Sequence, residues 1–413
     1  MTLAKTINAN LFDKAAFFCA ISFMFFIPIS TALMNIFIFF TLIFSILSGN
    51  LRNKLRLIWN NPISRSGLLL FIFLALSLTW SITDLKEGLD YLKKYNELWY
   101  IALLLPLFNS NFRRNIGINA FLLSMSIILI GVYLIFFEII LPIEFSIKGI
   151  KQSFTINGGF ASHVITNILM AFAMFVAAHK SVFSKGIYKV VYFIFFIFSL
   201  YYVLMISTGT SGQILGISLL TLFIVQHAKF RSILIVPIIL IAIIVYGYLT
   251  GNHSLKFAYN KLQDQYHYVA HTDPEGNYDS GGLGSRPQMF IQGIKLVDDD
   301  LWIGTGIGSY QKALELKNPK FYNAAPYKDN PHNEFLLITI QLGLVGLFFL
   351  IYLFSIQAIY SVKVKEIENI YISQGLFILI TIGCMGNSML LDSGEGHFWS
   401  FFTALLFSNL EKN

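Results

Sequence analysis

The sequence predicts an all-α integral membrane protein. Of its 413 residues, 56% are hydrophobic and only 12% are charged, against the ~25% charged residues of soluble domains. The apolar residues stand in long runs rather than in the alternation of a sheet strand or the stripe of a surface helix. A soluble protein is therefore excluded, and the length allows roughly a dozen spans of about 20 residues each.

We predict about twelve transmembrane helices, one for each apolar run. Several are short and need flanking residues to complete a crossing, and boundaries from sequence alone shift by a few residues. The predicted spans are Ala15–Ile29, Leu33–Leu47, Gly67–Ile82, Leu98–Phe108, Ile116–Phe137, Ala161–Ala178, Val190–Ile206, Gln213–Val225, Ile233–Leu249, Phe335–Phe354, Ile372–Leu390 and Phe398–Phe407.

Three further features of the composition narrow the class. The net charge of +7 comes largely from short loops between the runs, which favours membrane orientation over nucleic-acid binding. Cys19 and Cys384 both lie inside apolar runs, so no disulfide framework or cysteine metal site is expected. The first run is followed by no small-x-small cleavage site, so we interpret it as a retained helix rather than a signal peptide.

The loop charges predict the orientation, because Lys and Arg accumulate in short cytoplasmic loops. Most short-loop cations fall on one side of the predicted membrane, together with both chain ends. We therefore expect both termini of this multi-pass membrane protein in the cytoplasm. The opposite side holds only five short-loop cations, which are Lys86, Lys93, Lys94, Lys148 and Lys151.

One long connection divides the chain into three parts. Residues 1–249 carry the first nine predicted helices, residues 250–331 form a loop on the outer side, and residues 332–413 carry the last three. A connection this long is usually functional or disordered. Aromatic anchors and an amphipathic pattern at Pro287–Val297 favour an ordered, functional loop; the aromatic residues are Tyr259, Tyr266, Tyr268, Trp302, Tyr310, Phe321, Tyr322 and Tyr327.

His332 is the leading catalytic candidate. It follows Pro331 and precedes Asn333, where the long loop re-enters the membrane. At about 100° per residue, Gly343 and Gly346 fall on the same helix stripe as His332, and glycines on a spanning helix let another helix approach closely. A histidine at the outer end of such a stripe can take a proton from a hydroxyl group, although an interfacial His bonded to a loop carbonyl would fit equally well.

Three cations are candidates for an anion site. Arg286 follows a glycine-rich stretch and precedes a helix, a setting that suits phosphate oxygens; the competing explanation is an Arg stacked on loop aromatics or paired with Asp279, Asp298, Asp299 or Asp300. Lys93 and Lys94 lie on the outer side, where the charge rule disfavours them. They belong either to an interfacial amphipathic helix between Asp84 and Glu97 or to a second phosphate contact.

Other motifs are weaker. Gly304, Gly306 and Gly308 look like a phosphate loop but lack a surrounding βαβ unit, so a tight turn is the better interpretation. His163 and His397 have no acidic or Cys partners at ligand spacing. No metal site or cofactor is expected.

The segment from His332 to Gly346 resembles the HN-x9-GxxG signature of bacterial O-antigen ligases and the related O-antigen polymerases. Gly284, Ser285 and Arg286 before a helix, and the stretch from Trp302 to Tyr310 with its GxGxGSY pattern, are similar to the loop of that family. The layout of twelve helices with a large periplasmic loop resembles the ligase in particular.

The resemblance implies a GT-C-like glycosyltransferase that needs neither metal nor ATP. It would move a glycan from undecaprenyl diphosphate to lipid A-core oligosaccharide on the periplasmic face, with inversion at the anomeric carbon. His332 takes the role of base, Arg286 binds the diphosphate, and Asn333 is expected to contact substrate. The implied partners are the lipid-linked donor, the lipid A-core acceptor and membrane lipids, with no nucleic acid.

The chain departs from the family pattern at one position where a residue that binds the diphosphate is expected. A second Arg is expected in the turn between Ser207 and Gln213, where this chain has Ser211. Either Lys93 or Lys94 compensates, or the substrate geometry differs. O-antigen polymerase and protein O-oligosaccharyltransferase stay open as alternatives. A flippase or transporter is the alternative of another class, disfavoured because nearly every charge lies at a membrane edge.

Overall fold

The computed structural model describes residues 2–147, 150–160, 162–227, 260, 263, 286–297, 300–324 and 329–410. It is dominated by helices, as expected for an all-α membrane protein. Sixteen helices and one hairpin are labelled here in chain order: α1 Thr2–Phe26, α2 Thr31–Leu47, α3 Leu51–Asn60, α4 Pro62–Leu76, α5 Leu85–Lys94, α6 Glu97–Leu104, α7 Asn111–Phe136, β1 Ile143–Ile147, β2 Ile150–Phe154, α8 His163–Phe183, α9 Gly186–Tyr201, α10 Thr210–His227, α11 Arg286–Leu296, α12 Tyr310–Lys317, α13 Pro319–Ala324, α14 Glu334–Ser361, α15 Ile367–Gly386 and α16 Ser393–Phe407.

Polar residues at the ends of the apolar runs set several helix starts. Ser and Asn side chains accept hydrogen bonds from backbone N–H groups of the first turn, which have no partner within the helix. Pro62 follows one such cap at the first helical position, where its missing N–H costs nothing. The capping residues are Ser30, Asn61, Ser110, Ser162 and Asn333.

Eight helices in the described part of the chain are long and apolar enough to cross a membrane, or nine if the bent pair α2 and α3 counts as one span. The fourth and twelfth predicted spans are helical but short, at Glu97–Phe108 and Ser393–Phe407. The eleventh ends at Gly386 rather than at Leu390. The ninth lies outside the described residues, so the full set of twelve stays a prediction.

The ends of the helices form two separate groups of contacts. At one end Arg114 pairs with Glu366 at 3.3 Å and Lys180 pairs with Glu368 at 2.9 Å. The Asn61 side chain donates to the carbonyl of Phe407 over 2.8 Å at the same end. All three contacts join segments that the loop charges place in the cytoplasm. The predicted alternation of helix direction is therefore consistent with the contacts, while the identity of each face rests on the loop charges.

The core lies where α8 and α16 pass through the bundle. Nearly every residue of both helices is buried. Phe121, Phe172, Phe398 and Phe402 pack there with ring centroids 5.0–6.1 Å apart. Because α16 is surrounded by protein, its shortness does not expose it to lipid, and its outer start at Ser393 is fixed in position.

Helix α14 is broken at Gly343, whose φ of +64° lies in the left-handed region. A side chain at this position would collide with the backbone of Trp302. A loop, rather than the helix expected from the sequence, approaches the backbone at Gly343. The helix face that the sequence predicts for His332, Gly343 and Gly346 ends at the break, because the helical periodicity does not continue through Gly343. A side chain at Gly346 would meet Leu342 of the same helix.

The segment that enters this break contains Gly304, Gly306 and Gly308, all with positive φ. Its backbone replaces the interrupted helical hydrogen bonds: Thr305 donates to Ile340 over 3.0 Å, and Leu344 donates to the carbonyl of Leu301 over 2.8 Å. The interpretation of these glycines as a turn therefore fits better than a phosphate loop. The inserted segment fixes the outer half of α14, which begins directly after His332.

Candidate active site

His332 lies at the outer start of α14 in a left-handed backbone conformation, with φ of +50°. Its backbone N–H donates to Asn330 Oδ1 over 2.7 Å. Asn333 caps the helix by accepting from the N–H of Leu336 over 2.9 Å, and its amide nitrogen donates to the carbonyl of Met385 over 2.9 Å. Asn333 thus fastens the start of α14 to the end of α15, and its predicted contact with substrate stays a prediction.

The His332 imidazole belongs to a short hydrogen-bonded chain. Asn387 Oδ1 lies 3.1 Å from His332 Nδ1, and Asn387 Nδ2 donates to Asp392 Oδ2 over 3.0 Å. Since the amide nitrogen faces Asp392, the amide oxygen faces the imidazole, and an amide oxygen only accepts. Nδ1 therefore carries the proton of the neutral ring, and Nε2 keeps its lone pair.

The surroundings of His332 favour the neutral, basic form. Burial lowers the pKa of the imidazole below its usual value, and the nearby charge of Arg286 lowers it further. The hydrogen bond to Asn387 and the charges of Asp392 and Asp329 act in the opposite direction. At neutral pH the ring is thus ready to accept a proton at Nε2.

Arg286 opens α11 and lies on the same side of the bundle. Its Nη1 donates to the carbonyl of Gly386 over 3.0 Å, which holds the guanidinium beside the turn between α15 and α16. Burial lowers the pKa of Arg286, and the charge of Asp392 opposes that effect. Arg286, Asp392 and His332 therefore interact electrostatically. Of the four acids considered as partners from sequence, only Asp300 is described, and the acid that acts on Arg286 is Asp392.

Lys93 and Lys94 separate in the structure. Lys93 is exposed and pairs with Asp90 at 2.7 Å on the same helix. Lys94 lies over the ring of Tyr91, with its Nζ 4.5 Å from the centroid, and its charge acts on Asp392. The predicted amphipathic helix is confirmed as α5, and of the two lysines it is Lys94 whose charge acts on Asp392.

Asp392 lies between the positive groups. Burial raises the pKa of its carboxyl group, while the hydrogen bond from Asn387 and the charges of His332, Lys94 and Arg286 oppose the rise. One carboxyl group therefore interacts with the cations Arg286 and Lys94 before any substrate binds. An arriving anion would find these cations on the same surface.

Buried Glu334 holds the surrounding elements together. One carboxyl oxygen accepts from the Tyr95 hydroxyl over 2.9 Å, and the other accepts from the N–H of Leu390 over 2.9 Å. Tyr91 adds a second link by donating to the carbonyl of Asp329 over 3.1 Å. Helix α5, the start of α14 and the turn after α15 are thus tied into one rigid frame.

The segment Ser207–Gln213, where the family pattern expects an Arg, packs against α8, and Ser211 lies in the first turn of α10. Side chains placed at Gly209 or Gly212 would collide with Asn167 of α8, and Gln213 donates to the carbonyl of Ser207 over 3.0 Å within the turn. The described contacts do not bring Ser211 to His332.

The two further histidines considered from the sequence lie on α8 and α16. His397 is buried between Phe23 and Tyr100, while His163 is exposed at the start of α8. Within the described ranges, no group of three or more His, Cys, Asp and Glu side chains is placed to hold a metal ion.

Asn387, Asp392 and Glu334 were missed from sequence. Asn387 was hidden because the eleventh predicted span ran on to Leu390, whereas Met389 and Leu390 lie in a buried turn. An available signal was the cluster of Asn, Asp, Ser and Gly residues between positions 387 and 394, which is typical of a turn.

Residues 193–351 match the sequence family described as O-antigen ligase. The matched region includes Arg286 and His332 and ends before the turn that carries Asn387 and Asp392. No curated protein gives a significant match to the chain.

Proposed function

We propose that this chain, whose residues 193–351 match the O-antigen ligase family, transfers a glycan from undecaprenyl diphosphate to a hydroxyl group of lipid A-core oligosaccharide. The observation that carries the proposal is the imidazole of His332, whose Nε2 has no hydrogen-bond partner among the described residues, together with Arg286, whose charge acts on it, and Lys94, whose charge acts on Asp392. A base next to an anion site at one membrane face is what transfer from a lipid diphosphate requires.

In the proposed mechanism His332 Nε2 removes the proton of the acceptor hydroxyl as its oxygen attacks the anomeric carbon. The bond from that carbon to the diphosphate oxygen breaks, and undecaprenyl diphosphate leaves with the electron pair. Attack from the face opposite the leaving group inverts the anomeric configuration. Arg286 and Lys94 bind the charge that develops on the diphosphate, and the imidazolium later releases its proton to water.

Asn387 and Asp392 position the base in this mechanism. Their hydrogen bonds fix the ring orientation and the tautomer, and the charge of Asp392 favours the imidazolium that forms during transfer. Neither residue needs to touch substrate. The frame built on Glu334 and Asn333 keeps the turn in place.

We expect Asp392→Asn to lower kcat by roughly tenfold to a hundredfold, a part of the 10²–10⁴ that a positioned base contributes. The acid limb of the pH profile of kcat/KM should also move to lower pH. Asp392 raises the pKa of His332, so its loss lowers that pKa, and the ring stays neutral down to a more acidic pH. An acid limb that moves to higher pH would contradict the assignment.

Asp329→Asn is the matched control. Asp329 acts on His332 only through its charge, and its side chain is bonded to Gln311 over 3.0 Å. Its replacement should move the acid limb slightly in the same direction while kcat stays near that of the wild type. A loss of kcat equal to that of Asp392→Asn would remove the special role of the hydrogen-bonded chain.

We expect transfer to continue in EDTA without added nucleotide. The diphosphate is a leaving group of low basicity, and Arg286 and Lys94 supply positive charge where the reaction needs it. The assay is transfer from purified lipid-linked glycan to purified acceptor after exhaustive chelation. Recovery of activity only on addition of Mg²⁺ or Mn²⁺ would contradict the mechanism.

The face of the membrane follows from the loop charges, which put the site on the periplasmic side of the inner membrane and both termini in the cytoplasm. The same layout, with the site at the outer edge of a bundle, is the basis for proposing a GT-C-like arrangement. Lipid-linked glycans are available on that face, which agrees with the proposed donor.

The broken helix α14 requires a comparison with transporters, which use broken helices to bind ions at mid-membrane. In a transporter the freed backbone groups are left for the ion. Here the groups around Gly343 bond to the inserted segment, for example Gly306 N–H to the carbonyl of Gln341 over 2.8 Å and Val345 N–H to that of Trp302 over 3.1 Å. The break therefore builds structure rather than an ion site, and this favours the enzyme.

A deletion strain separates the proposed ligase from its nearest alternative. Loss of a ligase should leave full-length O-chains on the lipid carrier, whereas loss of a polymerase should leave single repeats. A strain with normal lipopolysaccharide and unglycosylated proteins would instead indicate a protein O-oligosaccharyltransferase. The quantity measured is the length of the glycan that remains bound to the lipid carrier.

A further inference from the structure

Helix α3 lies across the direction of the spanning helices. It meets α2 at a bend of 117°, and none of its residues is buried. The loop charges place it on the cytoplasmic side. An amphipathic helix at this position lies in the interface plane of the membrane.

Two arginines of α3 stand without an acidic neighbour in sequence. Arg52 and Arg56 are exposed and one turn apart, so their side chains share one face of the helix. The chain has no Asp or Glu from Lys14 to Thr83, and no ion pair involves either arginine within the described ranges. Their charges are therefore available to an anion.

Lys54, between them, has a different role. Its Nζ donates to the carbonyl of Ser45 over 2.7 Å and also contacts Ser48 Oγ. These bonds hold α3 against the end of α2. The bend is thus a fixed feature, and the arginine pair is presented at a defined place.

An apolar crevice lies beside this helix. It has a volume of about 110 Å³ and runs between α2, α3 and α6, where its lining includes Leu42, Ile46, Leu55, Ile58 and Leu103. Leu55 is also 63% exposed and Trp59 is 54% exposed. An apolar opening next to two free cations at the edge of a membrane matches a molecule with one charged end and one hydrocarbon end.

We propose that α3 and the crevice bind an anionic phospholipid of the cytoplasmic leaflet. The phosphate group contacts Arg52 and Arg56, and part of an acyl chain packs on Leu55 and enters the crevice. A lipid with net negative charge is favoured over a zwitterionic one because each basic side chain near the headgroup gains from the unbalanced charge. The site lies on the face opposite His332 and does not depend on the proposed transfer reaction.

Native mass spectrometry of the full chain tests this site with phosphatidylglycerol and with phosphatidylcholine of the same acyl chains. We expect the wild-type protein to retain phosphatidylglycerol in preference. The double variant Arg52→Gln, Arg56→Gln should bind phosphatidylglycerol at least about tenfold more weakly than the wild type. Lys185→Gln, Lys189→Gln is the matched control, since these two exposed lysines are also four residues apart and lie at the same end of the bundle.

The crevice is tested separately by Ala102→Leu, which fills it from the side of α6. This variant should lose its preference for long-chain over dihexanoyl phosphatidylglycerol while keeping both arginines. Equal losses from the arginine and lysine pairs would overturn the proposal in favour of general charge attraction. Displacement of the lipid by inorganic phosphate, or retention of a protein instead of a lipid, would overturn it as well.

Discussion

Replacement of His332 by Asn or Ala is expected to lower glycan transfer by roughly 10²–10⁴-fold, the contribution of a positioned general base. The two variants separate chemistry from folding. His332 has φ of +50°, and Asn tolerates this conformation better than Ala does. His332→Asn should therefore fold like the wild type and still lack a base, whereas His332→Ala adds backbone strain.

The measurement is the rate of transfer from lipid-linked donor, with thermal stability and membrane content recorded for each variant. His163→Gln is the control, because His163 is exposed at the outer end of α8 and is distant in sequence from the site. Near-normal transfer by a well-expressed His332→Asn variant would contradict the assignment of His332 as the general base. Loss of transfer by His163→Gln would show that the assay responds to outer histidines in general.

The positions of the helices could be predicted because lipid requires long apolar runs. Short helices such as α6 and α16 were the least certain for the same reason, since protein rather than lipid surrounds much of them. The bend between α2 and α3 had a weaker signal in Gly49 and Asn50, which both adopt positive φ. Hydrophobicity alone cannot tell a spanning helix from a helix that turns along the surface.

Gly343 shows why the position of a residue on a helical wheel does not predict what packs against it. The wheel assumes a continuous helix, and Gly343 interrupts it with the only kind of residue that adopts its conformation without strain. What stabilises the break is the segment around Thr305, which lies far away in sequence. A tertiary contact of this kind leaves no periodic trace, so the glycines indicated a close approach but not what approaches.

The sequence predicted two residues of the candidate site, His332 and Arg286, but not the residues that position them. His332 and Arg286 stood out as polar residues where an apolar chain meets the long loop. Asn387 and Asp392 act through His332, and their turn is apolar because it is buried against α14. The sequence likewise could not separate Lys93 from Lys94, since the choice depends on which of them faces Asp392.

That separation leads to the prediction on the diphosphate clamp. A lipid diphosphate carries about two negative charges, and one guanidinium engages only part of its oxygens. Arg286 already uses Nη1 on the carbonyl of Gly386, so a second cation is needed, and Lys94 is the lysine whose charge acts on Asp392. Arg286→Gln and Lys94→Met should each raise the KM for donor by roughly tenfold or more, as expected for hydrogen bonds to charged groups.

Lys93→Met is the matched control for this clamp, because it removes the same charge from the same turn of α5. Lys93 is paired with Asp90 and exposed, so its loss should leave the KM for donor within about twofold of the wild type, in line with the small value of exposed ion pairs. Arg286→Lys keeps the charge but loses the planar fork, and should recover only part of the affinity. If Lys93→Met weakens donor binding as much as Lys94→Met, the effect comes from the charge of the outer surface in general. If neither variant weakens donor binding, the second cation of the clamp is a different residue, and the charge of Lys94 on Asp392 has another function.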